Sequence, residues 1–378
     1  MANQDAVYLD YNATAPIRPE VIALVGEVMA TVGNASSVHG SGRAARARVE
    51  EARRQVAALI GAEAVNVIFT GGGTEADNLA LCGFGAEHLI VSSVEHGAIL
   101  APSLLADPAA VMLPASREGL VDLAALEAAL AAAEGPTLVS VMLANNETGI
   151  IQPVAEAADI AHRHGALMHC DAIQGAGKIA VDIADLGVDL ISLSAHKIGG
   201  PQGVGALVMR QDRAVLAQIV GGGQEQGRRS GTENVAGVAG FGEAARLAAA
   251  ELTEFGQLAE MRDDLERRLA RIAGKVRVFG AALARLPNTS CFTMPGVRAD
   301  TQVMSFDLEG IAVSAGSACS SGKVAPSHVL AAMGVDDDEA MTAIRVSLGR
   351  DNTAGDIDRF VSVWTDIYRR CGSQADAA

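Results

Sequence analysis

Aromatic side chains make up only 3% of this chain, with a single tryptophan. Its core must therefore be aliphatic, and no surface reads as a stacking platform for bases. Cysteine is scarce too. Cys82, Cys170, Cys291, Cys319 and Cys371 are odd in number, scattered and never in a CxxC pair, which argues against a disulfide framework or a structural zinc site. Basic charge is short, with 29 Lys and Arg against 45 Asp and Glu, a net charge of −16. Such a surface repels nucleic acid and anionic lipid, so neither is expected as a partner; the acidity also reads as solubility alone. No apolar run is long enough to cross a bilayer and no N-terminal stretch reads as a signal peptide, so a reducing cytoplasm is the expected compartment.

What the chain does have is length and small residues. Its 378 residues, 49% hydrophobic with 41 glycines, suffice for about two domains joined by tight loops. Gly42 to Ile60 carries Val49, Ala52, Val56, Leu59 and Ile60 on one helical face, and Gly61 is a stop signal. Val65–Thr70, His88–Ser93, Thr137–Leu143, Ala166–Cys170, Asp189–Ser194 and Gly205–Met209 read as buried strands, with helices such as Val154–His164 between them. That alternation predicts an α/β fold with a mainly parallel sheet covered on both faces. Ala236 to Ile272 is strongly helical with a break near Gly256. Beyond it, Ser290–Met294, Val303–Phe306 and Ile344–Ser347 are strand candidates of a smaller C-terminal domain.

Several strands end on residues able to do chemistry. Gly71-Gly72-Gly73-Thr74 follows Thr70 and opens a helical run, a place where backbone N–H groups can cradle a phosphate; triple glycine serves equally as a plain turn. Asp171 ends Ala166–Cys170, where a carboxylate can pair with a pyridinium or cap the next helix. Gln174 follows it. Asn145-Asn146 ends another strand, as a ligand-binding amide or an Asx turn. Lys197 closes Ser194-Ala195-His196-Lys197, 26 residues after Asp171. An amine and a carboxylate at strand ends are what pyridoxal phosphate requires, one for a Schiff base and the other for its ring nitrogen. His96 follows a further strand and can stack on a ring and carry protons, although a lone histidine is more often structural. A polar loop, residues 221–232, ends on Thr232, a phosphate-donor candidate. Cys319 lies in Ser314-Ala315-Gly316-Ser317-Ala318-Cys319-Ser320-Ser321-Gly322, small residues that permit motion of a thiol nucleophile. Arg350, after Ser347-Leu348-Gly349, can pair with a substrate carboxylate or with a surface acid.

In order and spacing these segments, from Tyr8-Leu9-Asp10-Tyr11-Asn12-Ala13-Thr14-Ala15-Pro16 to Ile344-Arg345-Val346-Ser347-Leu348-Gly349-Arg350, resemble the cysteine desulfurases of the NifS/IscS-like branch. The resemblance implies the fold type I of pyridoxal-phosphate transferases. A large domain (13–250) with a seven-stranded, mainly parallel sheet would be joined by a smaller α+β domain (1–12 and 251–378). It implies a homodimer that converts L-cysteine to L-alanine. Lys197 would be the Schiff-base lysine, Asp171 the pyridinium partner and His96 the stacked proton shuttle. Gly73, Thr74, Ser194 and His196 would hold the phosphate, with Thr232 reaching the other subunit's site. Asn146 and Gln174 would bind the ring side, and Asn34, Asn146 and Arg350 the substrate. Cys319 would carry the persulfide to a sulfur acceptor or iron–sulfur scaffold protein, where it would also ligate a partner's cluster transiently. Gly33-Asn34-Ala35-Ser36-Ser37 departs from the family in having alanine where proline is usual. The chain also stops soon after Tyr368, without the tail by which some members dock a scaffold. Two rival readings remain at this point: another enzyme of the same fold, an aminotransferase or selenocysteine lyase, and a non-enzymatic scaffold that has kept the fold.

Overall fold

The structure, a computed structural model, describes residues 6–107, 109–316 and 326–372. Seven strands form the main sheet: Val67–Thr70 (β1), His88–Ser92 (β2), Val111–Leu113 (β3), Thr137–Ser140 (β4), Leu167–Asp171 (β5), Leu190–Ser194 (β6) and Gly205–Met209 (β7). Their spatial order is β1-β7-β6-β5-β4-β2-β3. Only β7 runs against its two neighbours. The remaining pairs are parallel, as apolar strands covered on both faces require. Residues of β1, β4, β5 and β6 are buried throughout or nearly so.

The long helix Gly40–Leu59 buries Ala45, Val49, Ala52 and Val56 at helical spacing. His39 caps its start, Nδ1 accepting from the Gly42 amide at 3.3 Å. It packs on the helix Val235–Ala250 at close range. A Cβ added to Gly242 would meet the Ala52 Cα at 2.5 Å, so only glycine fits that crossing. The helical stretch after it divides into Val235–Ala250, Leu252–Gly256 and Leu258–Ile272, the break falling where Gly256 predicted it. A separate apolar cluster joins Val7 and Leu9 to Leu265, Phe292, Phe360 and Trp364. It lies over a three-stranded antiparallel sheet of Thr289–Thr293 (β8), Ser314–Ala315 (β9) and Ala343–Ser347 (β10). Val303–Phe306 is not a strand. It sits inside the helix Ala299–Leu308, because Val303 and Phe306 are three apart and share a helical face. Val111–Leu113 was not anticipated, being three residues long at the sheet edge. Among the described residues no helix is long and apolar enough to cross a membrane.

The loop 221–232 is tied to the main sheet by a buried ion pair. Arg53 Nη1 and Nη2 donate to the two carboxylate oxygens of Glu225 at 2.7 and 2.8 Å, and the guanidinium lies 4.9 Å from the Phe69 ring centre. Glu225 also accepts from the Phe69 amide at 3.0 Å. This pairing holds Glu225 and Gln226 at φ of 47° and 60°, a left-handed conformation that costs side-chain-bearing residues energy. Arg228 and Arg229, which the sequence leaves open, pair with Asp212 and Glu75. Glu225→Gln would leave the buried Arg53 guanidinium with the more exposed Glu50, at 3.3 Å, and the Val67 main-chain oxygen, and should cost about 1–3 kcal/mol, read as a lowered urea midpoint. The double variant Arg53→Met, Glu225→Leu should recover most of that loss. A cost below about 1 kcal/mol would mean that the pair contributes little.

Candidate active site

The carboxyl ends of β4, β5 and β6 open into a cavity of about 330 Å³, where ligands of open α/β sheets bind. Lys197 ends a short 3-10 turn, Ala195–Lys197, directly after β6. Its Nζ donates to the main-chain oxygens of Asn12 at 2.7 Å and Ala13 at 2.8 Å, so the N-terminal segment crosses over to position it. Asp171 ends β5. One of its oxygens accepts from the Ile173 amide at 2.9 Å, and the residue lines the cavity. Burial raises its proton affinity to about 6, against the Ile173 amide and the Lys197 charge, which lower it. A carboxyl held so far out of water is a site for a cationic partner. His96 caps the helix Gly97–Ala106 through Nδ1, which accepts from the Ala98 amide at 3.1 Å and so leaves the ring proton on Nε2. Burial, then Lys197 and His328, lower its pKa, which keeps the ring neutral at pH 7.

The triple glycine makes the turn from β1 into the helix Gly73–Cys82. Gly72 has φ +151°, and a Cβ on Gly73 would strike the Ile173 Cδ1 at 2.3 Å. Glycine is thus required for the helix start to come this close to the cavity wall. Thr74, Ser194 and His196 border the same end. His196 bonds Thr14 Oγ1 at 3.1 Å, and burial takes its pKa down to about 4, so it offers hydrogen bonds rather than charge. Of the two asparagines after β4, Asn145 makes the Asx turn, its Oδ1 accepting from the amides of Glu147 and Thr148 at 2.9 Å. Asn146 is left to line the cavity with Gln174.

Three expected residues lie elsewhere. Asn34 is exposed and its Oδ1 accepts from the Ser36 amide at 2.8 Å. Thr232 lines a neighbouring recess with Gly71 and Gly203. Arg350 is exposed, pairs with Asp351 and borders a different recess beside Tyr11 and Lys178. Cys319 lies outside the described residues, although Gly316, three positions before it, lines the cavity.

Sequence reasoning passed over three residues that the fold gathers here. Arg345, in β10, is buried and lines the cavity, donating to Asp10 at 2.6 Å and to the Asn146 main-chain oxygen at 2.9 Å; its Nε has no partner among the described residues. A charged residue inside an apolar strand was the available signal. Asp77, fully buried, lines the cavity, and neither carboxylate oxygen has a hydrogen-bond partner among the described residues. Asn12 joins the N-terminal segment to the site, and its signal was the polar Tyr11-Asn12 pair after an extended stretch.

The set fits pyridoxal phosphate. An amine, a buried carboxyl and a glycine-lined helix start face one cavity of suitable size. The model of the aminotransferase class-V family matches residues 7–360. The chain belongs to that family. It is 42% identical over 375 residues to the cysteine desulfurase IscS of Dictyoglomus turgidum, covering 96% of this chain and 95% of the relative. The crystal structure of a NifS-like protein from Rickettsia africae matches with a TM-score of 0.90 at 37% identity, over 96% of this chain and 99% of that one. SspA, solved in complex with cysteine, matches with a TM-score of 0.76 at 30% identity, over 90% and 98%. Within the class-V family the chain therefore falls among the NifS/IscS-like cysteine desulfurases, and its fold is the one that resemblance implied.

Proposed function

We propose that the protein is a pyridoxal-phosphate-dependent cysteine desulfurase, which turns L-cysteine into L-alanine and hands the sulfur to an acceptor protein. The observation that carries this is the meeting of Lys197, Asp171, His96 and the Gly73 helix start around one cavity. Family membership and the cysteine complex of SspA support the substrate.

When bound, the cofactor supplies an aldehyde for the Lys197 and substrate amines and a ring that withdraws electrons from the substrate Cα. Asp171 would pair with the ring nitrogen, Asn146 and Gln174 would hold the ring side, and Gly73, Thr74, Ser194 and His196 would hold the phosphate. Lys197 Nζ, held at the cavity by the Asn12 and Ala13 main-chain oxygens, takes the Cα proton. His96 Nε2 carries a proton at the opposite wall. The guanidinium of Arg345, rather than that of Arg350, binds the substrate carboxylate. The Cys319 thiolate attacks the substrate sulfur. Its S–S bond forms as the C–S bond breaks, and the carbon fragment takes up protons and leaves as alanine, with the sulfur held on Cys319 as a persulfide. A homodimer in which Thr232 completes the partner's phosphate site is part of the same reading. The exposed apolar side chains of Met29, Val32 and Val38 support it. So is the division of the chain near residue 250, which the separate apolar cluster supports.

Purified protein given cysteine and a reductant should release alanine and sulfide in equal amounts. Cys319→Ala should abolish sulfide release while leaving the visible band of bound cofactor unchanged. Alanine and sulfide undiminished in that variant would remove Cys319 from the reaction. Keto-acid-dependent amino transfer surviving it would favour an aminotransferase.

A further inference from the structure

Lys178 is a buried amine for which the mechanism above has no task. It is 3% exposed, in the turn that follows Asp171. Gly177 beside it takes φ +72°, and a Cβ there would meet the Ile198 Cγ2 at 2.8 Å, so the turn is closely fitted. Lys178 Nζ donates to Asn12 Oδ1 at 2.8 Å and to Gln174 Oε1 at 2.6 Å. Both acceptors are neutral amides, and among the described residues no carboxylate pairs with it. Burial lowers its pKa well below the usual lysine range, and Lys197 and Arg345 add to the effect. A cation in such a place is costly until an anion comes near.

The two amides that Lys178 holds belong to the cavity. Lysine is a donor only, so Gln174 must turn its oxygen toward Lys178 and its Nε2 the other way. That Nε2 donates to the Asn12 main-chain oxygen at 2.9 Å and keeps a second N–H. The same Asn12 oxygen accepts from Lys197 Nζ at 2.7 Å. The Asn12 side chain is fixed by four partners: Lys178, Thr289 Oγ1 at 2.8 Å, Asn288 Nδ2 at 3.2 Å and the Asn146 main-chain oxygen at 3.2 Å. One buried amine therefore sets the donor face of Gln174 and the oxygen on which Lys197 rests.

We propose that Lys178 is a positioning residue for an anionic oxygen of the cavity's ligand: its ammonium presents the Gln174 N–H to the cavity and holds down the proton affinity of the Lys197 nitrogen. This rests on the pyridoxal-phosphate reading. The sign follows from Coulomb's law. A neighbouring cation disfavours the protonated form of Lys197, so removing it raises the pKa there, and it also removes attraction for an anion. The titratable and charged groups facing Lys178 are Lys197, Arg345 and His196, with Gln174 and Asn12 as its direct partners.

The test uses protein stripped of cofactor and refilled with pyridoxal phosphate, as wild type, Lys178→Met and Lys178→Gln. Lys178→Met removes charge and hydrogen bond together. Lys178→Gln can still donate to Asn12 without charge. Equilibrium dialysis gives affinity, and absorbance against pH gives the titration midpoint of the bound chromophore. Lys178→Met should weaken binding at least tenfold and raise the midpoint by about one unit. Lys178→Gln should regain part of the affinity yet keep the raised midpoint. Thermal melting of the stripped proteins identifies a variant that fails to fold, and the other then decides. A Lys178→Gln midpoint equal to that of wild type would overturn the electrostatic role. Wild-type protein that takes up no pyridoxal phosphate would instead overturn the reading of the cavity, and the inference with it.

Discussion

Lys197→Ala is expected to abolish covalent attachment of pyridoxal phosphate and to lower alanine formation at least about a thousandfold. The loss combines a missing nucleophile with a missing base, and a positioned base alone contributes about 10²–10⁴-fold. The geometry makes the outcome specific to this lysine. Two buried or half-buried amines stand close together, yet Lys197 lines the main cavity, whereas Lys178 is engaged by two amide oxygens and borders the adjoining recess. Borohydride reduction of the loaded wild type followed by peptide mass analysis should place the label on Lys197 and leave Lys178 bare. Lys197→Arg should behave like the alanine variant, because a guanidinium keeps the charge but forms no such bond. A label on Lys178, or turnover within a few-fold of wild type in Lys197→Ala, would reassign the nucleophile.

The buried charges at and beside this cavity fall into two groups. Asp171, Asp77 and Glu95 are buried, and their carboxyls are all raised, first by burial. Among the described residues, the side chain of Asp77 and one oxygen of Glu95 have no hydrogen-bond partner. Lys197, Lys178 and Arg345 form the cationic side, and Lys197 and Lys178 come together at the main-chain and side-chain oxygens of Asn12. His169 is held between the hydroxyls of Ser140 and Ser192 at 2.9 Å, and its burial takes the ring down to about 3, so it adds no charge to either side. Such a field favours a ligand with a cationic end toward Asp171 and anionic groups toward the arginine and lysines. It would also disfavour the reversed orientation.

How much of this was legible in the sequence depended on how local the signal was. Asp171 and Lys197 could be read because each closes its own apolar strand, and a strand end in a parallel sheet is where ligands bind. The glycine turn at Gly71–Gly73 could be read for the same reason. The cationic side could not. Arg345 owes its place to Asp10, 335 residues away in sequence, and Lys178 owes its place to Asn12, 166 residues away. No local pattern encodes a contact of that separation. Val303–Phe306 misled because four residues are too few to separate a period of 2 from one of 3.6. The Asn145-Asn146 pair was ambiguous as read; Asn145 makes the turn and Asn146 lines the cavity.

The choice between Arg345 and Arg350 yields the second large effect. Arg350 was attractive in sequence because it follows a strand and a glycine. In three dimensions it is exposed and shared with Asp351, where an ion pair contributes little. Arg345 is 4% exposed, lines the cavity and has an Nε without a partner among the described residues. A guanidinium already out of water binds a carboxylate without paying desolvation again, and hydrogen bonds to charged groups are worth about 1.5–3 kcal/mol each. Arg345→Lys, which leaves Asp10 a cationic partner, should raise KM for cysteine about 10–100-fold with a smaller change in kcat. Arg350→Ala should stay within about threefold of wild type. Cysteamine, which lacks the carboxylate, supplies the control. The preference for cysteine over cysteamine should shrink in Arg345→Lys by the same factor that KM rises, and should be untouched in Arg350→Ala. A preference that collapses in Arg350→Ala while surviving in Arg345→Lys would return carboxylate recognition to the residue the sequence first suggested. It would also mean that the C-terminal segment after β10 moves toward the cavity when substrate binds.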